Sequence, residues 1–183
     1  MELQKVLFTD LDGTLIETKS GRTFPLHSED WKFIPETLNA IKEYYSKGYK
    51  IIIVTNQGGL AFGYFSVKVF LKKMTCICNS LEKILKLRKN SVSYFFCSKM
   101  QGFNRKPFPG MAIQAMEEYH LTLHESVMMG DMDTDEEFTL NAGINTYLSI
   151  DKVKELFNAP RIQELQHTEV DTGGTTGDST EGS

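Results

Sequence analysis

Along the chain, short runs of consecutive apolar residues alternate with longer stretches in which apolar residues recur every three or four positions. Val6 to Phe8 are apolar on both alternating faces, and similar runs are KIIIVT at 50–55, SVSYFF at 91–96, SVMMG at 126–130 and INTYLSI at 144–150. A strand that is apolar on both faces is covered on both sides, the usual state of a parallel strand in an α/β domain. Between these runs the period changes. Leu38, Ile41 and Tyr45 share one face of a helix that Pro35 opens and Gly48 stops. Val67, Phe70, Met74, Ile77, Leu81 and Ile84 step by three and four, predicting a long amphipathic helix. A third major helix follows RKPFPGM, and a short one has Thr134 and Glu137 as its capping box and Gly143 as its stop. Strand–helix–strand repeated in this way predicts a doubly wound, Rossmann-like parallel sheet of about five strands with helices on both faces.

Composition changes the picture at one end. The 183 residues suit one domain, assigned here to 1–162, followed by a Gly/Ser/Thr-rich tail at 163–183 that has little to bury and is expected to be disordered. The net charge of −4 comes from that tail, which carries five acids and no Lys or Arg; the rest of the chain holds 20 basic and 19 acidic residues. Nothing in that balance selects a nucleic-acid partner by charge alone. No apolar run is long enough to span a membrane, and MELQKVLF lacks the form of a secretory leader. Three cysteines, Cys76, Cys78 and Cys97, are too few for a disulfide framework, so a reducing, cytoplasmic setting is expected. Cys76 and Cys78 fall within the long helix and read as small buried hydrophobes.

In a doubly wound sheet, ligands sit beyond the carboxyl ends of the strands. The first strand ends in Asp10 and Asp12, the second in Thr55 and Asn56, and SVMMG in Asp131, then Asp133 and Asp135. Lys106 precedes the third major helix. Carboxylates gathered at one edge repel one another unless a cation intervenes, and an all-oxygen set suits Mg²⁺. Asp131 is the expected ligand beside Asp10, with Asp135 as a supporting acid and Lys106 as a second positive charge. The Thr55 hydroxyl, Lys106 and the backbone N–H groups from Asp12 to Thr14 would hold a phosphate. Gly13 lets the backbone turn close to it. A carboxylate so placed can attack phosphorus and form an aspartyl-phosphate.

The segments DLDGTL, VTN, the lysine of RKP and GDMDTD, in this order from Val6 to Asp135, resemble the four motifs of the haloacid dehalogenase superfamily of phosphohydrolases. The resemblance implies that Asp10 is the nucleophile and, with Asp131 and the main-chain carbonyl of Asp12, a Mg²⁺ ligand. It implies that the Asp12 side chain protonates the leaving oxygen and then activates water, while Thr55 and Lys106 bind the phosphoryl group. Neither gap between motifs has room for a cap domain beyond a small flap around SGRTFP, so an open site is expected.

DLDGTLIETKSGRTFPLHSEDWKF and RKPFPGM are similar to the 3′-phosphatase domain of polynucleotide kinase–phosphatases. That similarity implies a polynucleotide 3′ end, of DNA or RNA, as the substrate and a role in DNA repair. Histidinol-phosphate and heptose-bisphosphate phosphatases, which share RKPxPGM, are the alternative; they usually carry a Cys/His zinc loop before the lysine, where this chain has only Cys97. Phe62 stands where the polynucleotide enzymes have an arginine after TNQ. Asn56, Arg105 and Arg22 are the expected substrate contacts, Lys19 and Lys99 further cations, and Phe62, Tyr64 or Trp31 possible stacking surfaces. No Walker-type GxxxxGK[ST] accompanies them. A catalytically idle binding module is a further reading, opposed by the presence of every motif residue.

Overall fold

The structure, a computed structural model, describes residues 3–22, 25 and 27–158. The tail assigned to 163–183 and the domain's last residues, 159–162, lie outside them. β1 (Gln4–Thr9) runs into a flap of two short strands, β2 (Ile16–Glu17) and β3 (Lys32–Phe33). Then α1 (Pro35–Ser46) returns the chain to β4 (Lys50–Asn56), which is followed by the short α2 (Gly58–Ala61) and the long α3 (Val67–Leu85). β5 (Val92–Cys97), α4 (Gly110–Tyr119), β6 (Leu121–Gly130), α5 (Asp133–Ala142), β7 (Thr146–Ser149) and α6 (Ile150–Leu156) complete the described chain.

The main sheet has the order β5-β4-β1-β6-β7 and every neighbouring pair is parallel. The chain builds outward from β1 through β4 to β5, then crosses back to lay β6 on the other side of β1. Direction reverses at β1, so a crevice opens between the ends of β1 and β6. The alternation of strand side chains divides the core in two. Leu7, Ile51, Ile53, Val127 and Met129 pack with Leu38 and Ile41 of α1, Phe70, Met74 and Ile77 of α3, and Val153 of α6. On the opposite face Val6, Phe8, Ile52, Val54 and Met128 meet Met111, Ala112 and Ala115 of α4 and Phe138 of α5. This is the doubly wound sheet with helices on both faces that the periodicities predict.

Several boundaries differ for physical reasons. β6 begins at Leu121 rather than 126. The stretch before Ser126 is half-exposed and the register against β1 shifts between Lys5 and Leu7, so only its second half carries the apolar signature. On α3, Val67 and Ile84 are exposed while Cys78 and Leu85 are buried; the stripe is Phe70, Met74, Ile77, Leu81 and Leu85. Glu82 is buried on the same helix because its carboxylate accepts the backbone N–H groups of Asn90 and Val92, each at 3.1 Å, and so ties α3 to β5. Cys76 is exposed, unlike the buried pair expected, whereas Cys78 is buried and its thiol is pushed up to about 12 by burial. The capping box falls two residues earlier than Thr134–Glu137: Met132 is the N-cap and Asp135 the third helical residue, its Oδ2 accepting the Met132 N–H at 3.1 Å.

The flap pairs Ile16 with Phe33 and Glu17 with Lys32. Its connection is closed by Asp30, which is buried and accepts both the N–H and the hydroxyl of Ser20, at 2.9 and 2.6 Å. Between β4 and α3 there is only α2. Among the described residues, no cap domain interrupts the sheet and no helix is long and apolar enough to cross a membrane.

Candidate active site

The first acid pair stands where β1 ends. Asp10 continues the strand by one residue, donating its N–H to the Met129 carbonyl at 2.9 Å. The chain then doubles back, with the N–H groups of Leu15 and Ile16 both donating to the Leu11 carbonyl and Gly13 donating to Ile16. Gly13 lies at φ +91, and a Cβ there would stand 2.3 Å from Asp131 Oδ2. The glycine is what lets the carboxylate at the end of β6 close on the turn after β1. Thr14, fully buried, donates its hydroxyl to Asp131 Oδ1 at 3.1 Å and so orients that carboxylate from below.

Lys106 enters the crevice from the loop before α4. Its side chain is almost wholly buried, and Nζ donates to Asp10 Oδ1 at 2.5 Å, Asp135 Oδ1 at 2.6 Å and the Val54 carbonyl at 2.9 Å. All three ammonium protons thus have acceptors. Asn56 positions this lysine: its amide donates to the Lys106 carbonyl at 2.9 Å and its Oδ1 accepts the Lys106 N–H at 3.0 Å. Asp135 is fully engaged by the protein, one oxygen with Lys106 and the other accepting the N–H groups of Asp131 and Met132.

Burial sets the electrostatics. It pushes the Asp10 carboxyl up to about 7, against the pull of Lys106. Burial alone would lower Lys106, but attraction to Asp10 and Asp135 outweighs it and the ammonium is held above its ordinary range. Asp131 is raised as well, by desolvation of its inner side, against its hydrogen bond from Thr14. Burial disfavours the charged form of both carboxylates, and a further positive charge beside them would offset that cost. Asp10, Asp131 and Asp135 each offer an oxygen within 4.8 Å of the others, the cluster among the described residues with the geometry for a cation. Since both oxygens of Asp135 already have protein donors, Asp10 and Asp131 are the carboxylates with capacity left. Hard oxygen donors fit Mg²⁺.

The second aspartate of the pair differs. The Asp12 side chain is 54% exposed. Gln57 Nε2 donates to its Oδ2 at 2.8 Å and also to Thr55 Oγ1 at 2.9 Å, and Lys73 Nζ of α3 lies 3.4 Å from Oδ1. Sequence reasoning missed Gln57 and Lys73. Gln57 follows Thr55 by two, the spacing that returns a side chain to one side of an extended strand end. Lys73 falls three residues after Phe70 and four before Ile77, so a cation at the edge of a buried stripe was the available signal.

A cavity of about 930 Å³ opens over the pair, lined by Asp10, Asp12, Thr55, Lys106 and Asp135 within and by Met100, Phe103, Phe108 and Met132 at the rim. Asn56 and Arg105 also line it, and Arg105 Nη1 donates to the Lys99 carbonyl at 3.0 Å. Arg22 does not belong to it; it is exposed on the flap, where its carbonyl accepts the Thr18 hydroxyl. Phe62 and Tyr64 are exposed and stacked on each other, with centroids 5.5 Å apart, and Trp31 packs edge-on to Phe33.

Residues 5–148 match the family model described as Polynucleotide kinase 3 phosphatase. A D-glycero-beta-D-manno-heptose-1,7-bisphosphate 7-phosphatase of Helicobacter pylori (strain ATCC 700392 / 26695) is 32% identical over 151 residues, 81% of this chain and 84% of that protein. A probable D-glycero-D-manno-heptose-1,7-bisphosphate 7-phosphatase of Thermoplasma acidophilum is 32% identical, covering 76% of this chain and 86% of that protein. Among solved structures, the D,D-heptose 1,7-bisphosphate phosphatase of B. bronchiseptica complexed with magnesium and phosphate shares the fold, with a TM-score of 0.68 and 21% identity over 90% of this chain and 99% of that one. These relatives overturn the expectation of a polynucleotide 3′-phosphatase acting in DNA repair, and with it that of a nucleic-acid partner. The resemblance that holds is to the sugar-phosphate phosphatases. The site agrees with the correction. Tracking a polynucleotide needs a series of cations along its backbone. Here Lys106 is consumed inside, Arg105 is the one other cation lining the cavity among the described residues, Phe62 offers none, and the rim is apolar.

Proposed function

We propose that the chain, which belongs to the phosphatase family described as Polynucleotide kinase 3 phosphatase, hydrolyses the phosphomonoester of a small sugar phosphate, of the heptose-bisphosphate kind named for the relatives it resembles. It is a phosphatase. Asp10 is the nucleophile: its carboxylate oxygen bonds to phosphorus as the bond from phosphorus to the leaving oxygen breaks. The electron pair of that bond goes to the leaving oxygen, which takes the Asp12 proton. Water then attacks the phosphorus of the aspartyl-phosphate, giving a proton to Asp12, and the electron pair of the broken bond returns to Asp10. Phosphate is released and both carboxyl groups are restored.

Lys106 holds Asp10 in one orientation through the contact at 2.5 Å and screens it from Asp135. The Thr55 hydroxyl receives a phosphoryl oxygen, and Lys106, its protons engaged by Asp10, Asp135 and the Val54 carbonyl, contributes positive charge beside it; Gly13 and Thr14 shape the turn that brings Asp131 alongside. Asn56 acts through Lys106, by fixing its main chain, and Arg105 at the cavity mouth is the cation available to the remainder of the substrate. Mg²⁺ would be held by the carboxylates of Asp10 and Asp131 with the Asp12 main-chain carbonyl, and would supply charge neutralisation at the transferring phosphoryl group. The three free thiols fit a reducing, cytoplasmic setting.

The observation that carries this reading is the buried Asp10–Lys106–Asp135 arrangement beside Asp131, a charge set costly to desolvate that stands at the strand ends where ligands bind. The test is phosphate release, with Mg²⁺ present, from heptose 1,7-bisphosphate, histidinol phosphate and a 3′-phosphorylated oligonucleotide. A kcat/KM at least tenfold higher on the heptose ester, about 1.4 kcal/mol of transition-state binding, is expected. Preference for histidinol phosphate would move the substrate to another small ester, and preference for the oligonucleotide would overturn the proposal.

A further inference from the structure

Asp12 has a task that its surroundings make difficult. An exposed carboxylate on a turn is free to rotate, whereas a group that passes a proton in a transition state must be held within hydrogen-bond reach of the atom it serves. The contacts that restrain it come from two elements outside the turn. Gln57, buried at the end of β4, takes Oδ2 at 2.8 Å and shares its amide with Thr55. Lys73 takes Oδ1 at 3.4 Å from the opposite side. The Lys73 side chain is only 13% exposed although its ammonium meets an exposed partner. Lys73 lines the groove between the flap and α3 together with Trp31, Val69 and Cys76. An exposed ion pair gains little because two long side chains must both be ordered. Here the lysine is ordered by packing before the pair forms, so the ammonium is aimed at the carboxylate at small entropic cost.

We propose that Lys73 is a positioning residue for Asp12: with Gln57 on the other oxygen, it holds the carboxyl group facing the leaving oxygen as Asp10 is phosphorylated, and facing water as the aspartyl-phosphate is hydrolysed. This rests on the reading of Asp12 as the proton-transfer group. Lys73 bonds neither the phosphoryl group nor the cation. Its loss weakens the steps that need a proton moved and leaves phosphoryl binding as it was.

The test compares an aryl ester, p-nitrophenyl phosphate, whose leaving group departs without a proton, with an alkyl ester, glycerol phosphate, whose leaving group needs one. kcat/KM reports the steps up to aspartyl-phosphate formation. Lys73→Met is expected to lower it about tenfold more for the alkyl than for the aryl ester, a part of the ~10²-fold that proton transfer contributes. The same variant lowers kcat for the aryl ester, with trapped aspartyl-phosphate accumulating, because hydrolysis still needs the base. Lys73→Arg restores most of the loss, and Lys72→Met, on the neighbouring exposed lysine of the same groove, leaves the ratio unchanged. Equal loss on both esters, or a rise in KM at constant kcat, would make Lys73 a substrate-binding or merely structural residue and overturn the proposal. If Lys73→Met does not fold, Lys73→Gln is read in the same way. Asp12→Asn separates the two claims. If it fails to distinguish the esters, the proton-transfer reading of Asp12 falls. If it distinguishes them and the Lys73 variants do not, only the positioning role falls.

Discussion

Two lysine–carboxylate contacts meet at the same strand ends, and they are built in opposite ways. Lys106 with Asp10 and Asp135 is nearly out of reach of water, whereas Lys73 meets Asp12 at the surface. In the first, every charge has lost its hydration and must be replaced by a protein partner, so removing one member leaves the others buried and uncompensated. In the second, water can replace either partner, and what the contact provides is direction. On the proposed mechanism the difference follows from the two tasks. A nucleophile works best when it cannot move, while a proton carrier has to be open to a departing oxygen and an arriving water.

The largest effect expected is on chemistry. Asp10→Asn removes the nucleophile without removing a hydrogen-bond partner for Lys106, and turnover should fall by roughly 10⁴-fold or more, measured by phosphate release; near-normal rates would mean that no aspartyl-phosphate forms. Next comes stability, where the two lysines should part company. Lys106→Met strands Asp10 and Asp135 and should cost about 3–5 kcal/mol in urea unfolding, but Lys73→Met less than about 1 kcal/mol. Similar costs for both would show that burial is not what separates the two sites.

The cation offers a test that needs no substrate. Mg²⁺ at about 100 times its Kd should stabilise the fold by about 2.7 kcal/mol, read as a rise in Tm, and Asp131→Asn should abolish that rise. Removing Mg²⁺ with a chelator should stop turnover, and adding it back should restore it. The last test is at the turn. Gly13→Ala places a methyl group 2.3 Å from Asp131 Oδ2 at φ +91, and should cost about 1–3 kcal/mol of backbone strain while weakening the Mg²⁺-dependent rise in Tm. An unchanged rise would show that Asp131 can shift and still hold the cation.

Much of this architecture is legible along the chain because its signals are local. A strand covered on both faces shows as an unbroken apolar run, as at 51–54, and a parallel sheet carries all its strand ends to one edge. Asp10, Thr55, Lys106 and Asp131 could therefore be gathered from four distant segments before any coordinate was known. Features set by contact rather than by period were less visible. β6 begins five residues before its apolar run, and Asp135, not Glu137, closes the capping box, because Met132 turns the chain first. Asn56, expected to touch substrate, has both ends of its amide occupied by Lys106. Substrate class was the least legible. The same motif residues serve either leaving group, and it took the heptose-bisphosphate phosphatase relatives to overturn the polynucleotide expectation.

By itself the amino-acid sequence determined the layered α/β fold and the carboxylate, hydroxyl and ammonium groups that meet at its edge, because hydrophobic periodicity and strand-end position are properties of neighbouring residues. Only the tertiary structure decided which of those groups are buried and which are bridged. Lys73 stands 61 positions from Asp12 along the chain, and their contact exists because α3 packs its Phe70–Ile77 stripe on the sheet and carries the lysine's ammonium to the end of β1. No local pattern encodes that distance; it is the sum of a helix position, a strand register and a turn closed by Gly13.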